Sequence, residues 1–370
     1  MKGLILCAGN DAVTCGTEYS SLSQVPVCES AGPLDSCTIS ASAYVAAPLH
    51  PAPAPLAEVK PTVTSFQSLT VQKKDLPVTR LIYNAFDRRL YAGLSASYTP
   101  HPNSLAVIDP AVPSVLQFVA LGATPTALAL SDDGLVLWVA ASDGLRRVDL
   151  TTLVVAAPVA QGVFAQSIGV LPGTHDTVLA FGPSSPWIGS NVYTLRVYDS
   201  GVVRPIAATY QSSVLTATNS PSLVFGFNGL SSGHDFTTYC INEQGAFPQR
   251  TESGLFDGGG NSLLFDSGIV YGSAQAYDVQ KQRTAGSYPG STGLAVDSIA
   301  RRIFTLTYGT LVAYDMDTFA PLATDTTSAS GNFLQAGQLV RWGRYGLAFS
   351  YSTGSFNPSA LYIGRTTLIP

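Results

Sequence analysis

From residue 61 onward, apolar and polar residues alternate in short runs, and each run ends at a turn rich in Gly, Asp or Ser. The stretch 126–155 shows the unit most plainly. Thr126-Ala127-Leu128-Ala129-Leu130 precedes the turn Ser131-Asp132-Asp133-Gly134, and Leu135-Val136-Leu137-Trp138-Val139-Ala140 follows it, which predicts two adjacent strands joined by a hairpin. A second turn, Ser142-Asp143-Gly144, leads into Leu145-Arg146-Arg147-Val148-Asp149, and a fourth strand falls near Leu153-Val154-Val155. Apolar residues nowhere keep the i, i+3, i+4, i+7 spacing, so almost no helix is predicted.

The unit recurs. A strand ending in an apolar pair followed by Asp appears as Val107-Ile108-Asp109, Arg147-Val148-Asp149, Val197-Tyr198-Asp199, Ala276-Tyr277-Asp278 and Ala313-Tyr314-Asp315. Cys240-Ile241-Asn242 and Tyr362-Ile363-Gly364 complete the series as degenerate copies. Seven units of four antiparallel strands, each about 40 residues long, predict an all-β, seven-bladed β-propeller. The recurrent Asp has a purely structural reading: its short side chain accepts backbone N–H bonds and starts the turn into the outer strand. Asp87-Arg88-Arg89-Leu90-Tyr91 and Ala300-Arg301-Arg302-Ile303-Phe304 occupy matching turns of the first and sixth units, as solvated edges or as marks of a binding face.

The last unit supplies strands around Gly337–Trp342, Tyr345–Phe349 and Ala360–Ile363, then stops at Pro370 with little room for an outer strand. The alternating stretch Val63–Val71 lies before the first unit. It is expected to pair with the last blade and close the ring, which would remove exposed sheet edges.

Residues 1–60 differ from the rest. They end in the Pro/Ala-rich run 46–55, which reads as an extended linker, and this predicts a cysteine-containing extension over 1–60 and a propeller over 61–370. Cys7, Cys15, Cys28 and Cys37 are an even number at irregular spacings, favouring two disulfides of undetermined pairing. Zinc is the weaker reading, because no pair has the close spacing of a zinc site and His50 stands alone. Cys240 reads as a small buried hydrophobe inside a strand.

The composition fits many short strands and turns: 46% hydrophobic, 12% charged, 34 Gly and 24 Pro. A net charge of −5 with no basic block argues against nucleic acid as a partner. No run approaches the roughly 18 apolar residues of a membrane span, and Met1–Cys7 is too short for a secretory signal. A signal would therefore lie upstream, or the chain is part of a longer one, or the protein stays inside the cell.

Candidate chemistry is sparse. Gly229-Leu230-Ser231-Ser232-Gly233, followed by His234-Asp235, imitates a hydrolase nucleophile motif, yet it lies between strands with no helix to follow and reads as a loop. Asp257-Gly258-Gly259-Gly260 lacks the Lys and Ser/Thr of a phosphate-binding loop. Asp315-Met316-Asp317 begins like a calcium loop and breaks the pattern at Phe319. His50, His101, His175 and His234 are scattered over the linker and three units. No residue is nominated as catalytic, metal-binding or cofactor-binding, and no cofactor is implied.

Taken together, Leu81-Ile82-Tyr83-Asn84 with Arg89-Leu90-Tyr91-Ala92, Asn103–Pro110, Leu128–Gly134, and Leu339–Gly343 before Gly346–Phe349 resemble the YVTN-type bacterial propellers, particularly their extracytoplasmic members. The resemblance covers roughly residues 61 to 370 and implies an exported or surface location. Three functions are expected from the sequence. The first is a non-catalytic binding or scaffold module for a protein or glycan. The second is a lactonase-type hydrolase with a cation at the propeller axis. The third is a structural subunit of a surface layer, filament or larger complex.

Overall fold

A computed structural model describes residues 2–8, 12–18, 29–30, 37–38, 69–183, 193–209, 214–229, 234–256, 262–326, 335–352, 358–366 and 368, the first four segments as strands alone. The fold is all-β: seven antiparallel blades of four strands form a ring, and in blade 3 a short fifth strand, Ala208–Thr209, also pairs with the third strand. Blade 1 comprises Val78–Asn84, Arg89–Leu94, Ser104–Asp109 and Ser114–Ala120. Blade 2 comprises Pro125–Leu130, Val136–Ala141, Gly144–Asp149 and Val154–Val155, and blade 3 Ser167–Val170, Thr177–Pro183, Tyr193–Asp199 and Val202–Val203. Blade 4 runs Val214–Ala217, Leu223–Phe227, Phe236–Asn242 and Gly245–Glu252, and blade 5 Leu264–Asp266, Ile269–Tyr271, Gln275–Asp278 and Arg283–Ser287. Blade 6 is Gly293–Asp297, Arg302–Thr307, Thr310–Asp315 and Pro321–Thr326. Blade 7 takes Gln335–Trp342, Gly346–Ser352 and Pro358–Arg365 from one end of the chain and Thr70–Lys74 from the other.

The first strand of each blade is innermost, and each touches the first strand of the next blade, with blade 7 returning to blade 1. The stretch 63–71, expected to pair with the last blade, lies outside the described residues as far as 68. The strand that pairs there is Thr70–Lys74, with Thr70 opposite Arg365 and Lys74 opposite Leu361. The proposed boundary at 60/61 and the side chains of Cys7, Cys15, Cys28 and Cys37 also lie outside the description.

Second strands read as continuous apolar runs because both of their faces are covered. In Arg89–Leu94, Leu90, Ala92 and Leu94 pack with Ala348, Leu361 and Ile363 of blade 7. Tyr91 points the other way, onto Leu137, Val139 and Val148 of blade 2. Strand periodicity thus feeds one blade into two inter-blade cores, and each fully buried Leu or Val contributes about 1.5–3 kcal/mol. Cys240 is one such core residue, 4% exposed among Leu223, Phe225 and Phe227.

All seven repeat copies fall at the end of a third strand. Asp109 Oδ1 accepts the Ala111 N–H at 2.9 Å, Asp149 Oδ1 those of Thr151 and Thr152 at 3.0 Å, and Asp315 Oδ1 those of Asp317 and Thr318 at 3.0 and 2.9 Å. Asn242 performs the same service for Gln244 and Gly245. These bonds satisfy the N–H groups that the turn leaves without ladder partners. Thr151 first, then Thr152, hold the exposed Asp149 carboxyl down at about 2.

Candidate binding face

Antiparallel order places two kinds of connection on opposite sides of the ring. The turns between first and second strands, and between third and fourth, share one side, the turn face. The connections between second and third strands, and between blades, share the other, the loop face.

The polar groups of the turn face bond to one another across blades. Asn84 Nδ2 donates to the Gly134 carbonyl at 2.8 Å, joining blade 1 to blade 2. The turn Ser131-Asp132-Asp133-Gly134 then grips blade 3: Gly173 N–H donates to Asp132 Oδ2 at 2.9 Å, and Asp133 Oδ2 lies 2.6 Å from His175 Nε2. Burial alone raises the Asp133 pKa, but bonds from Ser131, Leu135 and His175 overcome it and hold the carboxyl below its ordinary value. Ser131 Oγ bonds to Asp133 at 2.7 Å rather than to His175, so these three side chains do not form the nucleophile–base order of a hydrolase.

Blades 3 and 4 are clamped by Arg204, which pairs with Asp199 at 2.7 Å and donates to the Asn242 carbonyl at 2.6 Å. Blades 6 and 7 are joined by Asp297 and Arg341, with Arg341 Nε 2.9 Å from Asp297 Oδ2. The paired arginines are likewise engaged. Arg88 and Arg301 take left-handed φ values of 59° and 53°, Arg89 lies 2.6 Å from Asp109, Arg302 3.8 Å from Asp315, and Arg301 bonds to Asp317. The calcium-like run is therefore a turn in which Asp315 caps backbone amides and Asp317 binds Arg301.

The loop face contrasts with this. Its long described connections include 95–103 and 156–166. Charged side chains are few there: Asp143 binds Arg146 through two bonds of 2.5 and 2.6 Å, and Asp235 accepts from Ser253 Oγ at 2.5 Å. Aromatic groups are more prominent. His101 is exposed and stacks on Phe118 at 3.8 Å and 12°, with Tyr98 beside both rings. Tyr308, at the corresponding turn of blade 6, is 71% exposed.

The sequence singled out His101 and His175 only as scattered histidines, and they fall on opposite faces. His234 leads into Phe236–Asn242 and stacks on Phe227 at 6.3 Å. As expected, a strand rather than a helix follows the Gly229–Asp235 motif, whose residues 230–233, like Asp257–Gly260 and His50, lie outside the described residues. Among the described residues no three His, Cys, Asp or Glu side chains converge to hold a metal ion.

The channel walls are the seven innermost strands. Their described ionisable Asp, Glu, Lys, Arg and His residues are Arg80, Asp266, Asp297 and Arg341. Arg80 lies near the loop-face end of Val78–Asn84, and its Nη1 donates to the Thr79 carbonyl at 2.8 Å. Burial lowers its pKa, with no neighbouring charge to offset the effect. Around it the strands interlock: Thr79 Oγ donates to the Pro125 carbonyl at 3.0 Å, Thr126 Oγ to the Ala165 carbonyl at 2.7 Å, and Leu81 N–H to Gln338 Oε1 at 2.6 Å. The sequence analysis did not single out Arg80, because nothing local distinguishes an arginine on an innermost strand from one on an outer strand.

No family model matches the chain, and no curated relative matches it in sequence. Solved structures do match in shape. The β-propeller domain of Cps50 (Swd1) from Myceliophteria thermophila has a TM-score of 0.61 at 12% identity, covering 80% of this chain and 98% of that one. Hydrazine synthase from Kuenenia stuttgartiensis has a TM-score of 0.56 at 13% identity, covering 83% and 100%. The computationally designed protein Ika8 has a TM-score of 0.54 at 12% identity, covering 81% and 100%. At such identities the likeness carries the architecture alone, and this chain is a seven-bladed β-propeller.

Proposed function

We propose that the chain is a non-catalytic binding scaffold that engages a protein or glycan partner through its loop face. The observation that carries this reading is the chemical division of the ring: the turn face engages its charges in bonds within and between blades, whereas the loop face offers long connections and exposed aromatic rings. Such loops on a rigid frame are where recognition is built, and Tyr and other aromatic groups give large contact area at low entropic cost. Photo-crosslinkers at Tyr98 and Tyr308, compared with one at Ile299 on the turn face, test it. Adducts with one partner from the first two sites alone are expected; equal labelling from all three would overturn the reading.

An extracytoplasmic setting and membership of the YVTN-type propellers belong to the same proposal, supported by the four N-terminal cysteines and the strand motifs. The structural-subunit reading has one observation in its favour. Leu116, Val154, Val202 and Val203 are exposed on the outer strands of blades 1 to 3, an apolar rim suited to lateral packing. A concentration-dependent oligomer in light scattering, abolished by Val202→Asp, would favour that reading over the loop face.

A further inference from the structure

The loop 95–103 of blade 1 is tied down along its length. The Ser95 carbonyl accepts two N–H groups, from Tyr98 at 3.2 Å and Asn103 at 3.4 Å, and His101 N–H donates to the Tyr98 carbonyl at 3.1 Å. Ser104 Oγ donates to the His101 carbonyl at 2.7 Å, and Thr124 Oγ, on the connection to blade 2, donates to Asn103 Oδ1 at 2.6 Å. Pro100 and Pro102 flank His101 and narrow its backbone freedom further.

This frame fixes three rings. His101 is exposed, and Phe118, half-buried on the outer strand, is stacked against one of its faces at 3.8 Å and 12°. Tyr98 stands beside the stack, its ring tilted 36° to both and 6.4 and 6.1 Å away. Because Phe118 covers one imidazole face, the exposure of His101 falls on the other face and the ring edge. The loop adds hydroxyl groups, with Ser95 Oγ and Ser97 Oγ 2.6 Å apart at the surface, and it contains no Asp, Glu, Lys or Arg.

Size decides what such a stack can hold. A standard protein interface covers about 800 Å² on each partner around an apolar centre. Among the described residues, the exposed large apolar side chains lie on turns of the turn face or on outer strands, with Tyr308 of blade 6 the exception. A platform the size of one ring is too small for a protein centre, and an uncharged loop offers nothing to an ionic group. It matches a single neutral sugar ring.

We infer that Tyr98, His101 and Phe118 form a subsite for a neutral pyranose of a glycan, gluco- or galacto-configured so that its C–H groups gather on one face. Those weakly positive C–H groups lie on the electron-rich imidazole face, with Phe118 behind it. The Tyr98 hydroxyl and the loop serines are the polar groups at hand for the sugar's hydroxyls. A loop already fixed loses little freedom on binding. The subsite rests on the loop-face reading and narrows its partner to a glycan.

Saturation-transfer NMR of the full chain with cellotetraose, methyl β-galactoside and a decaproline peptide tests the subsite. Saturable transfer to the ring C–H protons of at least one sugar is expected. His101→Ala should weaken that binding about fivefold or more, whereas His101→Trp, a larger platform at the same exposed position, should strengthen it by a similar factor. A folding defect gives no such gain. Absence of saturable transfer to either sugar, or transfer unchanged in both variants, would overturn the subsite. Transfer to decaproline alone would also overturn it and assign the rings to a protein partner. The wider reading fails separately: protein adducts from Tyr98 and Tyr308 without sugar binding would remove the subsite and leave the loop face as a binding surface.

Discussion

Gly364 lies against Thr70: a Cβ at position 364 would come within 2.5 Å of the Thr70 carbonyl oxygen and 2.7 Å of Val71 Cγ1. In five other blades this repeat position is Asp, and in blade 4 it is Asn, starting the turn into that blade's own outer strand. Blade 7 draws its outer strand from the far end of the chain, so no turn is needed and no side chain fits. Gly364→Asp should destabilise the protein by about 2 kcal/mol or more through overpacking. Urea unfolding reads the loss, and hydrogen exchange should show protection falling first over residues 70–74.

A comparable constraint joins blades 3 and 4. Ile206 and Gly245 form a parallel bridge, with Ile206 N–H donating to the Gln244 carbonyl at 2.8 Å and Ala246 N–H to the Ile206 carbonyl at 3.1 Å. Gly245 has φ +141° and its missing Cβ would strike the Ile206 carbonyl. Gly245→Ala is expected to cost about 2–3 kcal/mol, from strain and clash together. Arg204→Ala, which removes the clamp but not the bridge, should cost less in the same denaturation assay.

Acid should loosen the ring at defined seams. Burial pushes the Asp297 pKa up, but the Ala300 N–H and the Arg341 guanidinium overcome that and hold it below the ordinary value. A folded pKa below the unfolded one, about 3.9, means that the contribution is complete above pH ~4 and is lost as pH falls through the folded value. Asp297→Asn should lower stability by about 2–3 kcal/mol at pH 7, and its stability curve should converge on that of the parent at acid pH. Parallel curves from pH 3 to 7 would show that the seam has no such linkage.

Thiol counting addresses both cysteine groups. Cys240 sits in a core of Leu and Phe, so it should resist a thiol reagent in native protein and react once denatured. Denatured without reductant, the chain should show one reactive thiol if the four N-terminal cysteines are paired. A count of five would remove the disulfide proposal and its support for an oxidising compartment.

The architecture was legible because Asp109, Asp149, Asp278 and Asp315 do a local job, capping the turn that follows them, and a local job leaves a local pattern. Gly364 was legible only as a poor copy. Its reason lies in a strand almost 300 residues away, and no periodicity encodes that. Asp132 and Asp133 were read as turn residues, and they are, but their carboxylates also hold Gly173 and His175 of the next blade, a role set by how blades stack.

The register of blade 7 also governs how the ring meets mechanical tension. Thr70 enters opposite Arg365, where the last strand leaves, so the ring's two chain ends emerge side by side. A load drawn between them would open the Thr70–Lys74 ladder one rung at a time, as a zipper, rather than shearing all its bonds together. The propeller is a rigid disc to anything resting on its faces, yet it has a low-force release built into its seam.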